Sequence, residues 1–106
     1  MIDISNVFRL GTNHTLSATT SSGGTATSAF GDQTQTVMVT ATEDVFIQFG
    51  GTPTATVAAS VFIAADWPQI FRVNGSDKAA VITGAGASSV YVTELSRSWL
   101  FQPSLN

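Results

Sequence analysis

Between Gln35 and Leu95 the apolar and polar residues alternate with a period of two. Val37, Val39 and Ala41 alternate with Met38, Thr40 and Thr42, and Val45, Ile47 and Phe49 alternate with Phe46, Gln48 and Gly50. That period belongs to a strand with one buried face. The break at Glu43-Asp44 is short and polar, so the two strands are expected to reverse directly into an antiparallel hairpin. Gly50-Gly51-Thr52-Pro53 ends the second strand, because successive glycines and a proline do not sustain a central ladder. Residues 54–65 are small and weakly patterned and read as a loop or one helical turn, with Val61-Phe62-Ile63 as the buried point. Asp66-Trp67-Pro68 then reads as a turn and Ile70-Phe71-Arg72-Val73 as a short strand. Asn74-Gly75 favours a type I′ reversal, with positive φ at both positions. Residues 78–83 form the return strand, Gly84-Ala85-Gly86-Ala87-Ser88 is a connection, and residues 90–95 are the last clear strand.

The two ends of the chain are patterned differently. Residues 6–30 hold one apolar piece, Val7-Phe8-Arg9-Leu10, and then a polar run marked by Ser21-Ser22-Gly23-Gly24. That run fits either a pair of edge strands around the Gly-Gly turn or an arm that orders against a neighbour. At the other end, Trp99-Leu100-Phe101 precedes Pro103, and three adjacent large apolar side chains are expected to dock on the domain or on a partner. Five strands with regularly spaced turn signals predict an all-β chain, an antiparallel β-sandwich for which a jelly roll is one form, with extended N- and C-terminal segments. The expected layout is a single domain. Residues 1–30 are an N-terminal arm or edge strands, 31–96 the sandwich core and 97–106 a C-terminal tail.

Composition narrows the function. Charged residues are 10% of the 106, against roughly 25% in ordinary soluble proteins. Ser and Thr supply a quarter of the chain instead. A surface poor in charge resembles one that a partner will cover, since charges are depleted from interface centres. The net charge is −3, and Arg9, Arg72, Lys78 and Arg97 are the only cations. They are too few and scattered to neutralise a phosphate backbone, so a nucleic-acid partner is not expected. The start, Met1-Ile2-Asp3-Ile4, lacks the basic region and long apolar run of a signal peptide. The most apolar stretch, residues 55–65, is shorter than the ~20 residues that span a bilayer. The expectation is synthesis and residence in the cytoplasm, with no membrane partner, unless a particle carries the protein out.

Chemistry-bearing motifs are scarce. There is no cysteine, hence no disulfide, no thiolate nucleophile and no zinc–thiolate site. His14 is the only histidine and lies in the polar N-terminal run, where no acid stands at a ligand-pair spacing from it. It reads as an exposed loop histidine. Glu43-Asp44 is the only adjacent pair of acids, and neighbours in a strand face opposite ways, so a turn role is expected. Ser76-Asp77 offers too few oxygens for a calcium loop. Gly84-Ala85-Gly86 lacks the lysine and the helix of a phosphate loop, and no Gly-x-Ser-x-Gly elbow is present. No catalytic residue, cofactor or metal is therefore expected. Trp67, Tyr91 and Trp99 could form a flat platform for a sugar ring. Against this stands a reading in which Trp67 caps the core while Tyr91 and Trp99 fill an interface.

One resemblance adds to this. The hairpin-like run from Thr36 to Gly50, the segment Pro53-Thr54-Ala55, Ile70-Phe71-Arg72-Val73 and the closing Val90-Tyr91-Val92-Thr93-Glu94-Leu95 together resemble small structural proteins encoded among the head and tail genes of tailed bacteriophages. The likeness covers somewhat more than half the chain and marks structure, with no active site. It implies a non-enzymatic virion protein, first a capsid decoration or cement protein that binds and stabilises the head. The alternatives are a tail or head–tail accessory subunit, or a β-sandwich carbohydrate-binding module. The implied partner is the major capsid protein among other virion proteins, and the implied assembly is a homo-oligomer, with a trimer as one form. Val7, Phe8, Trp99, Leu100 and Phe101 are the expected assembly contacts, because they are apolar pieces outside the five strands.

Overall fold

The structure is a computed structural model and describes residues 8–21 and 24–97. Eight strands follow one another: β1 (Phe8–Ala18), β2 (Thr25–Ala26), β3 (Thr36–Ala41), β4 (Val45–Gly50), β5 (Val61–Ile63), β6 (Gln69–Arg72), β7 (Lys78–Ile82) and β8 (Ser88–Arg97). They form two four-stranded sheets with orders β1-β8-β3-β6 and β2-β7-β4-β5. Every pairing is antiparallel. The pairs nest: β4 with β5, β3 with β6, β2 with β7 and β1 with β8. The chain is thus one long hairpin with its tip at β4–β5, wound so that β8 also meets β3 and β7 also meets β4. That is the connectivity of a jelly roll, the all-β sandwich expected of the pattern.

Alternation explains the core. Val37, Val39 and Ala41 of β3, Val90 and Val92 of β8, and Leu16 and Ala18 of β1 face inward from the first sheet. Val45 and Ile47 of β4, Ile63 of β5, and Ala79 and Val81 of β7 face them from the second. Most of these are β-branched, which suits the pleated surface and holds χ1 fixed. Burying each Val or Ile contributes about 1.5–3 kcal/mol. Phe30 and Val73, from connecting segments, close one end of this core. Strand β7 reads as a continuous apolar run because it is covered on both faces. Ala80 and Ile82 point away from the core and are buried against Ala55 of segment 51–60, which folds back over the second sheet, with the half-buried Phe46 packed beside them. That segment contains one helical turn, closed by Ser60 N–H to Thr56 O at 3.1 Å and capped by Thr56 Oγ1, which accepts from Ala59 N–H.

Two expected hairpins are sandwich corners instead. β3 and β4 lie in different sheets, so Thr42-Glu43-Asp44 carries the chain across the core. The crossing is tied on both sides. Thr42 N–H donates to Ser89 O and Glu43 N–H to Ser88 Oγ, while Asp44 Oδ1 accepts from Ala65 N–H at 2.8 Å. β6 and β7 are likewise in different sheets, and the left-handed residue of the Asn74-Gly75 turn is Ser76, with φ 67°. Gly75 is needed for another reason: a Cβ there would run into the backbone of Asp32. Within segment 54–65, the strand β5 pairs with β4, and only Ile63 of it is buried. Val61 and Phe62 are half exposed.

Candidate functional site

The winding order places segments 27–35, 51–60 and 73–77 at one end of the sandwich, and 19–21, 42–44, 64–68 and 83–87 at the other. At the first end the inward row of β8 continues from Val90 and Val92 to Glu94, which is only 8% exposed. A buried carboxylate is costly unless its oxygens find donors. Here both do. Oε1 accepts from Gly31 N–H at 3.0 Å and from the Thr34 hydroxyl, and Oε2 accepts from His14 Nε2 at 2.7 Å. Burial pushes the Glu94 pKa up, but the bonds from Thr34, His14 and Gly31 and the charge interaction with His14 outweigh it. The carboxyl is held below its ordinary value.

His14 is therefore not an exposed loop histidine. It lies in β1, inward with Leu16 and Ala18 and paired in register with Val92. Its side chain is nearly covered, and its ring stands edge-on to Phe30 with centroids 5.4 Å apart. Ser28 Oγ lies 3.5 Å from His14 Nδ1. The three groups stand in the order hydroxyl, imidazole, carboxylate, yet an activated nucleophile sits about 2.6–3.2 Å from its base. In this arrangement the ring is spent on holding Glu94, and Glu94 on holding the 31–34 loop.

That loop is also laced to segment 73–77. Phe30 N–H donates to Asp77 O at 2.7 Å, Ser76 N–H to Gly31 O at 3.2 Å and Val73 N–H to Gln35 O at 2.9 Å. Within the second segment, Asp77 N–H bonds Asn74 O, and Asp77 Oδ2 accepts from Asn74 N–H. Among the described residues no three His, Cys, Asp or Glu side chains gather as a metal site.

A second feature lies on the outside. The outward rows of the first sheet read Asn13, Thr93, Met38, Ile70 and Thr15, Tyr91, Thr40 across neighbouring strands. Thr93 Oγ1 donates to Asn13 Oδ1, and Asn13 Nδ2 to Thr15 Oγ1, so part of this face is a hydroxyl–amide ladder. Among its described side chains, Arg72 is the only charge. Leu10, Ile70 and Tyr91 are exposed on it. It runs on to the lateral edge made by β5 and β6, each the last strand of its sheet. There Val61, Phe62 and Trp67 are exposed as well, with Phe62 tilted against Phe46 at 5.5 Å.

The expected assembly contacts Val7, Trp99, Leu100 and Phe101 lie outside the described residues. Phe8 pairs through its backbone with Arg97, where β1 begins and β8 ends. Trp67 does not cap the core. It is 67% exposed, at the turn between β5 and β6 where Asp66 takes a left-handed φ of 57°. Of the three aromatic residues weighed as a sugar platform, Trp67 is on the edge, Tyr91 is on the broad outer face and Trp99 lies outside the described residues. Sequence reasoning missed Glu94 and the exposed Leu10, Phe62 and Ile70. Glu94 could have been found from its register, since it continues the inward row of Val90 and Val92. No family model, curated protein or solved structure matches the chain.

Proposed function

We propose that the protein is a non-enzymatic structural subunit that binds neighbouring protein subunits through the outer face of the first sheet and the adjoining β5–β6 edge. The observation that carries this is the exposure of Leu10, Tyr91 and Ile70 on a sheet face whose one described charge is Arg72, with Val61, Phe62 and Trp67 exposed on β5 and the turn that follows it. Contiguous apolar patches rimmed by polar groups mark interaction sites, and unpaired edge strands offer backbone donors and acceptors to a partner strand. The setting we propose is the tailed-phage virion, as a decoration protein of the head, with the major capsid protein as partner. This part of the reading rests on the sequence resemblance. A rigid jelly roll repeated over a shell gains from avidity, so each contact can be weak.

The test is the mass of the full chain by light scattering, followed by mixing with heads and tails from the chain's own source and sedimentation. Co-sedimentation with heads that is lost in Ile70→Lys supports the proposal. Binding to tails alone moves the subunit to the tail. A monomer that binds neither sinks the virion reading.

A further inference from the structure

We propose that the cleft between segments 31–35 and 73–77 is a subsite for a neutral saccharide. It is an open cleft of about 400 Å³, within the range of small-molecule sites. Its lining is planar and polar: Asp32, Gln33, Gln35, Arg72 and Asn74, with Phe49 in the wall. Sugar hydroxyls donate and accept at once. Amide, carboxylate and guanidinium groups meet pairs of them with two parallel hydrogen bonds. An aromatic ring accepts the apolar face of a sugar while its neighbours bind the polar rim.

Charge and bonding select this ligand class over two others. Arg72, Asp32 and Asp77 are the charged residues of the lining, so the cleft carries more negative than positive charge and disfavours phosphate or carboxylate. A divalent cation would need six or more oxygens in flexible loops. Asp77 Oδ2 is already engaged by Asn74 N–H, and among the described residues no metal-ligating group of three forms.

The cleft is also preorganised, which lowers the cost of binding. Its walls are joined by Ser76 N–H to Gly31 O and Val73 N–H to Gln35 O. Gly75 lets the two backbones touch. Glu94 fixes the 31–34 loop from inside the core through Gly31 and Thr34, which makes it a positioning residue for the cleft. The inference does not depend on the subunit-binding reading, whose apolar residues lie on the sheet face and the β5–β6 edge.

The experiment is a ¹⁵N NMR titration of the full chain with a panel of neutral mono- and disaccharides of hexose, N-acetylhexosamine and 6-deoxyhexose type, with calcium chloride titrated separately. At least one sugar is expected to move the amides of residues 31–35 and 72–77 saturably. Gln33→Ala and Asp32→Ala are expected to weaken that binding at least tenfold with unchanged circular dichroism and melting temperature. The proposal is overturned if no sugar of the panel gives a saturable shift. It is also overturned if the shifts map to Trp67 and Tyr91, if both variants bind as well as the parent, or if calcium alone moves the cleft amides.

Discussion

At the scale of single residues, Glu94 decides most about the loop end of the sandwich. Its carboxylate satisfies a backbone N–H, a hydroxyl and a ring N–H in one buried place. Removing it leaves those donors without a partner, and an orphaned buried polar group costs about 1–3 kcal/mol. Glu94→Ala is expected to lower the unfolding free energy by about that amount in urea titrations. The pH dependence follows from the direction of its shift. The folded pKa lies below the ordinary 4.5, so the unfolded chain takes up the proton first as pH falls. The stabilisation is complete above about 4.5 and disappears as pH drops through the folded value. Glu94→Gln should therefore flatten the acid limb of a plot of urea midpoint against pH. An unchanged acid limb would mean that other carboxylates govern acid unfolding.

At the scale of elements, the strands were legible and their partners were not. The period of two in β3 and β4 says which side chains share a face, and the observed strands Thr36–Ala41 and Val45–Gly50 carry that alternation. It does not say which sheet receives the next strand. A three-residue polar break serves a sandwich corner as well as a hairpin, and the deciding contacts, from Ser88, Ser89 and Ala65, come from far along the chain. The inward face of β1 was hidden for another reason. It consists of His14, Leu16 and Ala18, a polar, a large and a small residue, so hydrophobicity shows no period there. The cleft drew no signal either, because Asp32, Gln33 and Gln35 are common turn residues until Gly75 brings the second loop against them. Three substitutions test this arrangement. Ile47→Ala, inside the sandwich, should cost about 2–5 kcal/mol in chemical denaturation, while Phe62→Ala on the half-exposed β5 should cost far less. Gly75→Ala should destabilise even though its φ is ordinary, because its Cβ meets Asp32 backbone. A neutral result would show that the two loops can separate freely.

At the scale of the whole molecule, nested pairing makes the fold dependent on contacts between the chain's beginning and its end. β1 meets β8 and β2 meets β7, so the loop-closure entropy is lost before most of the core can form. Refolding followed by circular dichroism after a denaturant jump should fall in the slow range of β-sandwiches, milliseconds to seconds. Microsecond folding would contradict the nested order. The same low-charge build fixes how the protein should associate. With 10% charged residues and one described charge on the outer face of the first sheet, binding through that face has little Coulomb energy for salt to screen. Charge-driven contacts weaken as the Debye length shrinks from about 10 Å at 0.1 M salt to about 3 Å at 1 M. Apolar contacts strengthen when sulfate is excluded from the surface. Association measured by sedimentation should therefore persist from 0.1 to 1 M sodium chloride and tighten in ammonium sulfate, and Ile70→Lys should abolish it at every salt concentration. If sodium chloride alone dissolves the complex, the partner is held by Arg72 and the acidic loops, and the apolar edge is not the interface.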